Sequence, residues 1–365
     1  MPRIVLFPGD GVGPEVVAEA TKVLSAVERR FGHRFDIESH AIGGDALDRF
    51  GVPIRAEDVE SARDADAALL GAVGGPKWDA VEPSLRPERG LLHIRKELGL
   101  FANLRPVSVF PSLAASSPLK PEIVADVDLL VVRELTGGIY FGEPSRRWTD
   151  DGGRAAVDTL TYRDYEIERI ARLAFELAGS RRGRLASVDK ANVLQSSRLW
   201  REIVNEVATE FSNVRLQHVL VDAMAMHLIK SPGDFDVIVT ENMFGDILTD
   251  EASVLPGSIG LLPSASLSDR TGVAPGTRFG LYEPIHGSAP DIAGHGKANP
   301  AGAILSAALM LRWSFALDDA ARAVEWAVAD TIEAGVRTQD ISRQGGDPVS
   351  TAEFGDEVAR RVDEV

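Results

Sequence analysis

The 365-residue sequence contains no cysteine. Disulfides, thiolate nucleophiles and cysteine-ligated zinc are therefore excluded. Positive charge is also in short supply. There are 39 lysines and arginines against 55 aspartates and glutamates, a formal net charge of −16. That balance argues against nucleic acid or an anionic membrane surface as a partner, while leaving room for a few arginines to converge on a small anion. Long apolar runs are absent too. The opening residues, MPRIVLFPGDGVGPE, reach only four consecutive apolar positions before a glycine-rich turn, and no later stretch has the length of a membrane span. They do not read as a signal peptide or an anchor, so the expectation is a soluble, cytoplasmic protein. Aromatic residues make up only 6%, but hydrophobic residues total 44%, enough for a substantial core in one large domain or two ordinary ones.

What is present is a regular alternation of apolar runs and amphipathic stretches. RIVLF, ADAALLGAV, DLLVV, RLASVD, VRLQHVLV, FDVIVT and RFGLYE read as strands. Between them, PEVVAEATKVLSAVERRF carries Val16, Val17, Ala20, Val23, Leu24 and Val27 on one helical face. GLLHIRKELGLF, DYEIERIARLAFELAG, SRLWREIVNEVATEF and PAGAILSAALMLRWSF also read as helices. Strands alternating with helices predict an α/β class with a largely parallel sheet. Stretches rich in glycine and proline near 74–90 and 256–300 are expected to be mostly loops.

The chemistry centres on ENMFGDILTDE, residues 241–251. Asp246 and Asp250 stand four apart and share a helical face. The expectation places Gly245 and Asp246 near the first helical turn, where the helix dipole helps keep a carboxylate ionised. Two adjacent carboxylates repel each other, and a hard divalent cation such as Mg²⁺ or Mn²⁺ would relieve that. An isolated pair of this kind is more often a solvated acidic face. Here Met243, Phe244, Ile247 and Leu248 make the helix apolar, so the carboxylates are less cheaply placed. Asp222, directly after the strand HVLV, is a third acid, or alternatively a plain helix cap. Arg95, Arg105 and Arg133 supply planar forks suited to carboxylates. Tyr140 and Lys190, near predicted strand ends, are possible proton carriers.

Taken together and in order, GDGVGPEV, RGLLHIRKELGLFANLRP, RELTGGIYFG, VDKANVL, VDAMAMHL, NMFGDILTD and HGSAPDIAGHGKANP resemble one family from end to end. It is the isocitrate/isopropylmalate dehydrogenase family of metal-dependent β-decarboxylating dehydrogenases, and the resemblance is closest to its isopropylmalate branch, in leucine biosynthesis. The resemblance implies a two-lobed isopropylmalate/isocitrate dehydrogenase-type fold with a largely parallel sheet, not a Rossmann fold. A discontinuous cofactor-binding lobe would span 1–100 plus 257–365, and a central lobe 101–256 would carry the metal site and dimer interface. It also implies a homodimer with shared active sites. Asp246 and Asp250 would bind Mg²⁺ or Mn²⁺, with Asp222 and Lys190 reaching in from the other subunit. Arg95, Arg105 and Arg133 would clamp the two carboxylates of a 2-hydroxy-3-carboxy acid, and Asp222 would also meet the substrate. Tyr140 would donate a proton and Lys190 would assist removal of the hydroxyl proton.

The same resemblance sets Leu91 and Leu92, read as lying on the first turn of their helix, against the substrate's 3-substituent, with Val193 opposite. An apolar wall suits a branched alkyl group and would leave a third carboxylate unpaired. Both leucines taken alone could equally be core. NAD would rest on Glu88, His286, Gly287, Ser288, Ala289, Asp291 and Asn299, with Asp291 accepting from the ribose hydroxyls and repelling a 2′-phosphate. Lys297 and His295 add basic charge close by. GDGVGPE is spaced G-x-G-x-G and so lacks the Rossmann fingerprint; a tight turn after the first strand is expected instead. The segment 268–279 receives no function. Alternatives that stay open are a sister enzyme acting on homoisocitrate, tartrate or D-malate, and a dicarboxylate-binding protein.

Overall fold

A computed structural model describes residues 1–342 and 346–365. Strands are numbered along the chain: β1 (Arg3–Gly9), β2 (Asp36–Ser39), β3 (Ala67–Ala72), β4 (Leu100–Ser108), β5 (Asp128–Glu134), β6 (Arg146–Asp150), β7 (Gly153–Val157), β8 (Arg184–Asp189), β9 (Arg215–Leu220), β10 (Val237–Thr240), β11 (Pro263–Thr271) and β12 (Arg278–Pro284). The chain divides into two compact units. One holds residues 1–100, 110–116 and 256–365; the other holds 101–109 and 117–255.

In the first unit the strand order is β2-β1-β3-β12-β11. The pairs β1–β2, β1–β3 and β3–β12 are parallel, and β11 closes antiparallel on β12. All six residues of β3 are buried, as expected of a strand covered on both faces. The helices Gly13–Phe31, Ala301–Trp313, Asp318–Glu333 and Thr351–Glu364 pack with this sheet and with one another.

β11 corrects the expectation of a loop. Its sequence, PSASLSDRT, offers serines at 264, 266 and 268 where a strand usually carries branched apolar side chains. All three serines are buried. Ser264 Oγ donates to the Glu283 carbonyl at 2.9 Å and Ser268 Oγ to the Phe279 carbonyl at 3.3 Å, so the hydroxyls are satisfied by the partner strand. The 268–279 segment is thus the end of a hairpin. Arg270 lies over the Phe279 ring at 3.8 Å and donates to the carbonyls of Arg63 and Ala65, closing the end of the helix Ala56–Asp64.

The second unit has the order β4-β5-β10-β8-β9, parallel except for β4. The helices Asp164–Ser180 and Gln195–Ala208 pack against it, burying Ile170, Phe175, Trp200 and Val204. β6 and β7 form a separate antiparallel ribbon. Register fixes what emerges where. Thr240 lies opposite both Arg133 and Val188, so Arg133, Lys190 and Asn242 leave the sheet at one carboxyl edge, the usual place for chemistry in such sheets.

Opposite that edge, buried Asp236 holds the turn into β8. It accepts from Arg181 Nε at 2.9 Å, Arg182 N at 2.9 Å and Arg184 N at 3.2 Å. Replacing it removes the acceptor of two backbone amides and leaves the half-buried Arg181 guanidinium paired only with Asp128. Asp236→Ala is therefore expected to lower stability by about 2–3 kcal/mol in urea unfolding, and a change below about 1 kcal/mol would contradict this role.

Candidate active site

The helix Asn242–Ala252 turns Phe244, Leu248 and Ala252 inward, at helical spacing. Asp246 and Asp250 project from another face. Asp246 is the fifth helical residue, so it opens the second turn, just past the first. The negative charge at the helix start belongs to Glu241, whose side chain caps it by accepting from Phe244 N at 2.8 Å.

Arg133, at the end of β5, lies across this helix. Gly245 permits that approach, because a Cβ there would stand 2.6 Å from Arg133 Cγ. Asn242 Oδ1 accepts from Arg133 Nε at 3.0 Å and Nη2 at 2.8 Å, which fixes the plane of the guanidinium. Arg133 Nη1 donates to Asp246 Oδ1, and Tyr140 Oη donates to Asp246 Oδ2 at 2.9 Å. Burial, then the hydrogen bond to Asp246, raises the Tyr140 phenol above its ordinary range, so it holds its proton at neutral pH. Arg105, on β4, donates to Asn103 Oδ1 at 2.9 Å and Thr249 Oγ1 at 2.8 Å, with Asp250 Oδ1 at 3.4 Å. Five expected residues, Arg105, Arg133, Tyr140, Asp246 and Asp250, therefore converge in this unit.

Asp222 and Lys190 form a second group. Lys190 Nζ meets Asp222 Oδ1 at 2.7 Å, and the hydrogen bond from Lys190 holds the carboxyl below its usual range. Asp222 is the second residue of the helix Val221–Lys230, so it is not the cap residue. Nearby Val193 is 61% exposed. Among the described residues no three His, Asp or Glu side chains gather around one point. Asp246 and Asp250 are all-oxygen donors on one helical face, which fits a hard divalent ion, and any third protein ligand would come from beyond this pair.

The remaining expected residues lie in the first unit. Arg95 pairs with buried Glu283, and its shielded Nε has no hydrogen-bond partner. Leu91 and Leu92 stand on the second turn of the helix Pro87–Glu97, not the first. Leu91 packs against the core, and Leu92 is exposed. The side chain of Glu88 lies beside Gly74. His286 Nδ1 lies 2.8 Å from the Gly287 carbonyl, while its Nε2 is shielded from water and unpartnered. Burial pushes this imidazole down, toward the neutral form. Ser288 is buried, Ala289 has φ +39°, and Asp291 is exposed. The shielded imidazole nitrogen is a polar group left for a bound ligand to satisfy. Asn299 spends its amide on Asp340 at 3.0 Å and on Ala301 N at 3.0 Å.

A model of the isocitrate/isopropylmalate dehydrogenase family matches residues 3–358. The chain belongs to this family. It is accordingly an oxidoreductase of the decarboxylating type, with the family's α/β fold. A 3-isopropylmalate dehydrogenase of Geobacillus kaustophilus is 59% identical over 360 residues, covering 99% of this chain and 95% of that protein. One from Bacillus subtilis is 58% identical over 342 residues, covering 93% and 92%. Among solved structures, an isocitrate dehydrogenase from Methylococcus capsulatus superposes with a TM-score of 0.86 at 34% identity, covering 100% of both chains. A β-decarboxylating dehydrogenase from Thermococcus kodakarensis gives 0.80 at 37% identity, covering 100% and 97%. Among the described residues no helix is long and apolar enough to cross a membrane.

Sequence reasoning missed the residues that hold the arginines. Asn242 was legible in principle, since it stands at i−4 from Asp246 and i−8 from Asp250. Thr249, Asn103 and Glu283 carried no such signal. It also missed a buried acidic pair beneath the family's aspartate helix. Tyr162 Oη meets Glu134 Oε2 at 3.2 Å and accepts from Asn242 N at 3.0 Å, while Glu241 Oε2 is shielded and unpartnered. Burial raises the carboxyl of Glu134 and, with help from Glu134, that of Glu241. A raised carboxyl contributes its stability below the unfolded pKa of 4.5 and loses it as pH rises through the folded value. Glu241→Gln, which keeps the capping oxygen, should therefore melt higher than the parent at pH 8, by roughly 2–4 °C per kcal/mol relieved. The gap should close toward pH 5; a gap that stays constant with pH would rule the mechanism out.

Proposed function

We propose that this chain catalyses the NAD-dependent oxidative decarboxylation of 3-isopropylmalate to 4-methyl-2-oxopentanoate and CO₂, a step of leucine biosynthesis. The observation that carries the reading is the convergence of Arg133, Tyr140 and Asp246 at one carboxyl edge, in a chain 58–59% identical to the two 3-isopropylmalate dehydrogenases above and only 34% identical to the isocitrate dehydrogenase.

Arg95, Arg105 and Arg133 bind the two substrate carboxylates. Asn242 and Asn103 hold two of those guanidinium groups in plane, so little rotamer freedom remains to be lost on binding. Asp246 and Asp250 hold Mg²⁺ or Mn²⁺. Lys190 takes the proton from the C2 hydroxyl. When bound, the divalent ion acidifies that hydroxyl and draws charge from the departing carboxylate, while NAD accepts the C2 hydride. Cleavage of the bond from C3 to the carboxyl carbon releases CO₂ and leaves its electron pair on the substrate as an enolate, and Tyr140 gives its proton to C3. Asp291 favours NAD by accepting from ribose hydroxyls. Leu92 and Val193 face the isopropyl group.

The chain acts as a cytoplasmic homodimer with shared sites. The contacting helices Val221–Lys230 and Asn242–Ala252 expose Met226, Ile229 and Ile247, with Val254 just beyond, an apolar patch that a second copy would cover. The partner then supplies Lys190 and Asp222 as the pair already held together here.

Incubation with 3-isopropylmalate, NAD and Mg²⁺ should generate NADH and CO₂ in equal amounts, and a chelator should abolish both. Tyr140→Phe should lower kcat by about 10²–10⁴-fold with KM little changed. A strong preference for D-malate, or NADH formation indifferent to chelator, would overturn the reading.

A further inference from the structure

We infer that Glu15 is a positioning residue for the cofactor: a latch that holds the loop 286–299 in its NAD-binding path. The inference rests on the cofactor reading of that loop proposed above.

The motif GDGVGPE lacks the Rossmann spacing, yet it is hydrogen-bonded to the loop. Glu15, half-buried in the first turn of its helix, accepts from Gly294 N at 2.5 Å with one carboxylate oxygen and from Gly296 N at 3.0 Å with the other. Val12 N donates to the Ser288 carbonyl at 2.8 Å. Gly11, at φ +60°, lies so close that a Cβ would stand 1.9 Å from that same carbonyl oxygen. The turn after β1 thus grips the loop at both ends, near Ser288 and at 294–296, with Asp291 between them.

The loop needs such a grip. Gly294 and Gly296 have φ of +78° and +61°, and Ala289 has +39°, so the chain follows a left-handed path with no ladder of its own. Thr351 supplies a second hold beyond it, donating from N to the Gly296 carbonyl at 2.8 Å and from Oγ1 to the Ala298 carbonyl at 2.6 Å. Without Glu15 the amides of Gly294 and Gly296 lose their acceptor, and the segment bearing Asp291 must be ordered at the moment of binding.

The test compares Glu15→Ala and Glu15→Gln with the parent enzyme. Gln keeps one acceptor oxygen and serves if the alanine variant does not fold. The expected result for Glu15→Ala is a rise on the order of tenfold in the Kd and KM for NAD, from two lost charge-assisted hydrogen bonds. kcat at saturating NAD and KM for 3-isopropylmalate should stay within about twofold. Amide exchange in the peptide 286–297 should accelerate, and Glu15→Gln should fall between. Unchanged NAD affinity and unchanged exchange in a folded variant would overturn the latch. Asp291→Lys separates the two layers. If it shifts cofactor preference toward NADP while the Glu15 variants bind NAD normally, the latch alone fails. If neither Asp291→Lys nor Ser288→Ala alters NAD binding, the cofactor reading of the loop has failed and takes the latch with it.

Discussion

Like charges one helical turn apart must be neutralised or solvated, and that constraint organises the second unit. Asp246 and Asp250 are flanked by Arg133 and Arg105, each arriving from a different strand. Neither arginine is loose. Asn242 fixes one guanidinium plane, and Asn103 with Thr249 fixes the other. Acids suited to a hard cation and bases suited to carboxylates therefore occupy one edge without collapsing into a random set of surface ion pairs. A chelating hydroxy-diacid, together with its metal ion, is complementary to both signs at once.

The parallel sheet makes this arrangement cheap to build. β5, β8 and β10 run together in register, so their carboxyl ends deliver Arg133, Lys190 and the aspartate helix to one level. Small residues allow the close approaches: Gly245 beneath Arg133 and Gly11 against Ser288. The buried acid Glu134 is linked by Tyr162 to the backbone of Asn242, next to buried Glu241. In the first unit the same economy recurs, with Glu15 tying the turn after β1 to the loop that carries Asp291.

Much of this was legible in the amino-acid order. The α/β class followed from alternating periods, and the aspartate pair from its four-residue spacing on an apolar helix. The family followed from seven motifs in fixed order, more specific together than any single one. What stayed hidden depended on long-range contacts. β11 escaped because buried serines replaced branched residues, satisfied by carbonyls of a strand still to come. Asp246 falls just past the first turn, because the helix starts at Asn242 under a Glu241 cap that the sequence did not reveal. Asn242, Thr249 and Glu283 hold arginines distant in sequence, and Glu15 holds amides nearly the length of the chain away.

The central claim is that one set of acids and arginines, completed by Lys190 and Asp222 of a second copy, performs the reaction. The most direct measurement mixes two inactive variants, Asp246→Asn and Lys190→Ala, under conditions that exchange subunits. If the two residues serve one site from different chains, each hybrid dimer holds one intact site. Activity should then return to about one quarter of the parent rate at statistical exchange. Hybrids that form, as shown by differential tagging, yet stay inactive would contradict it.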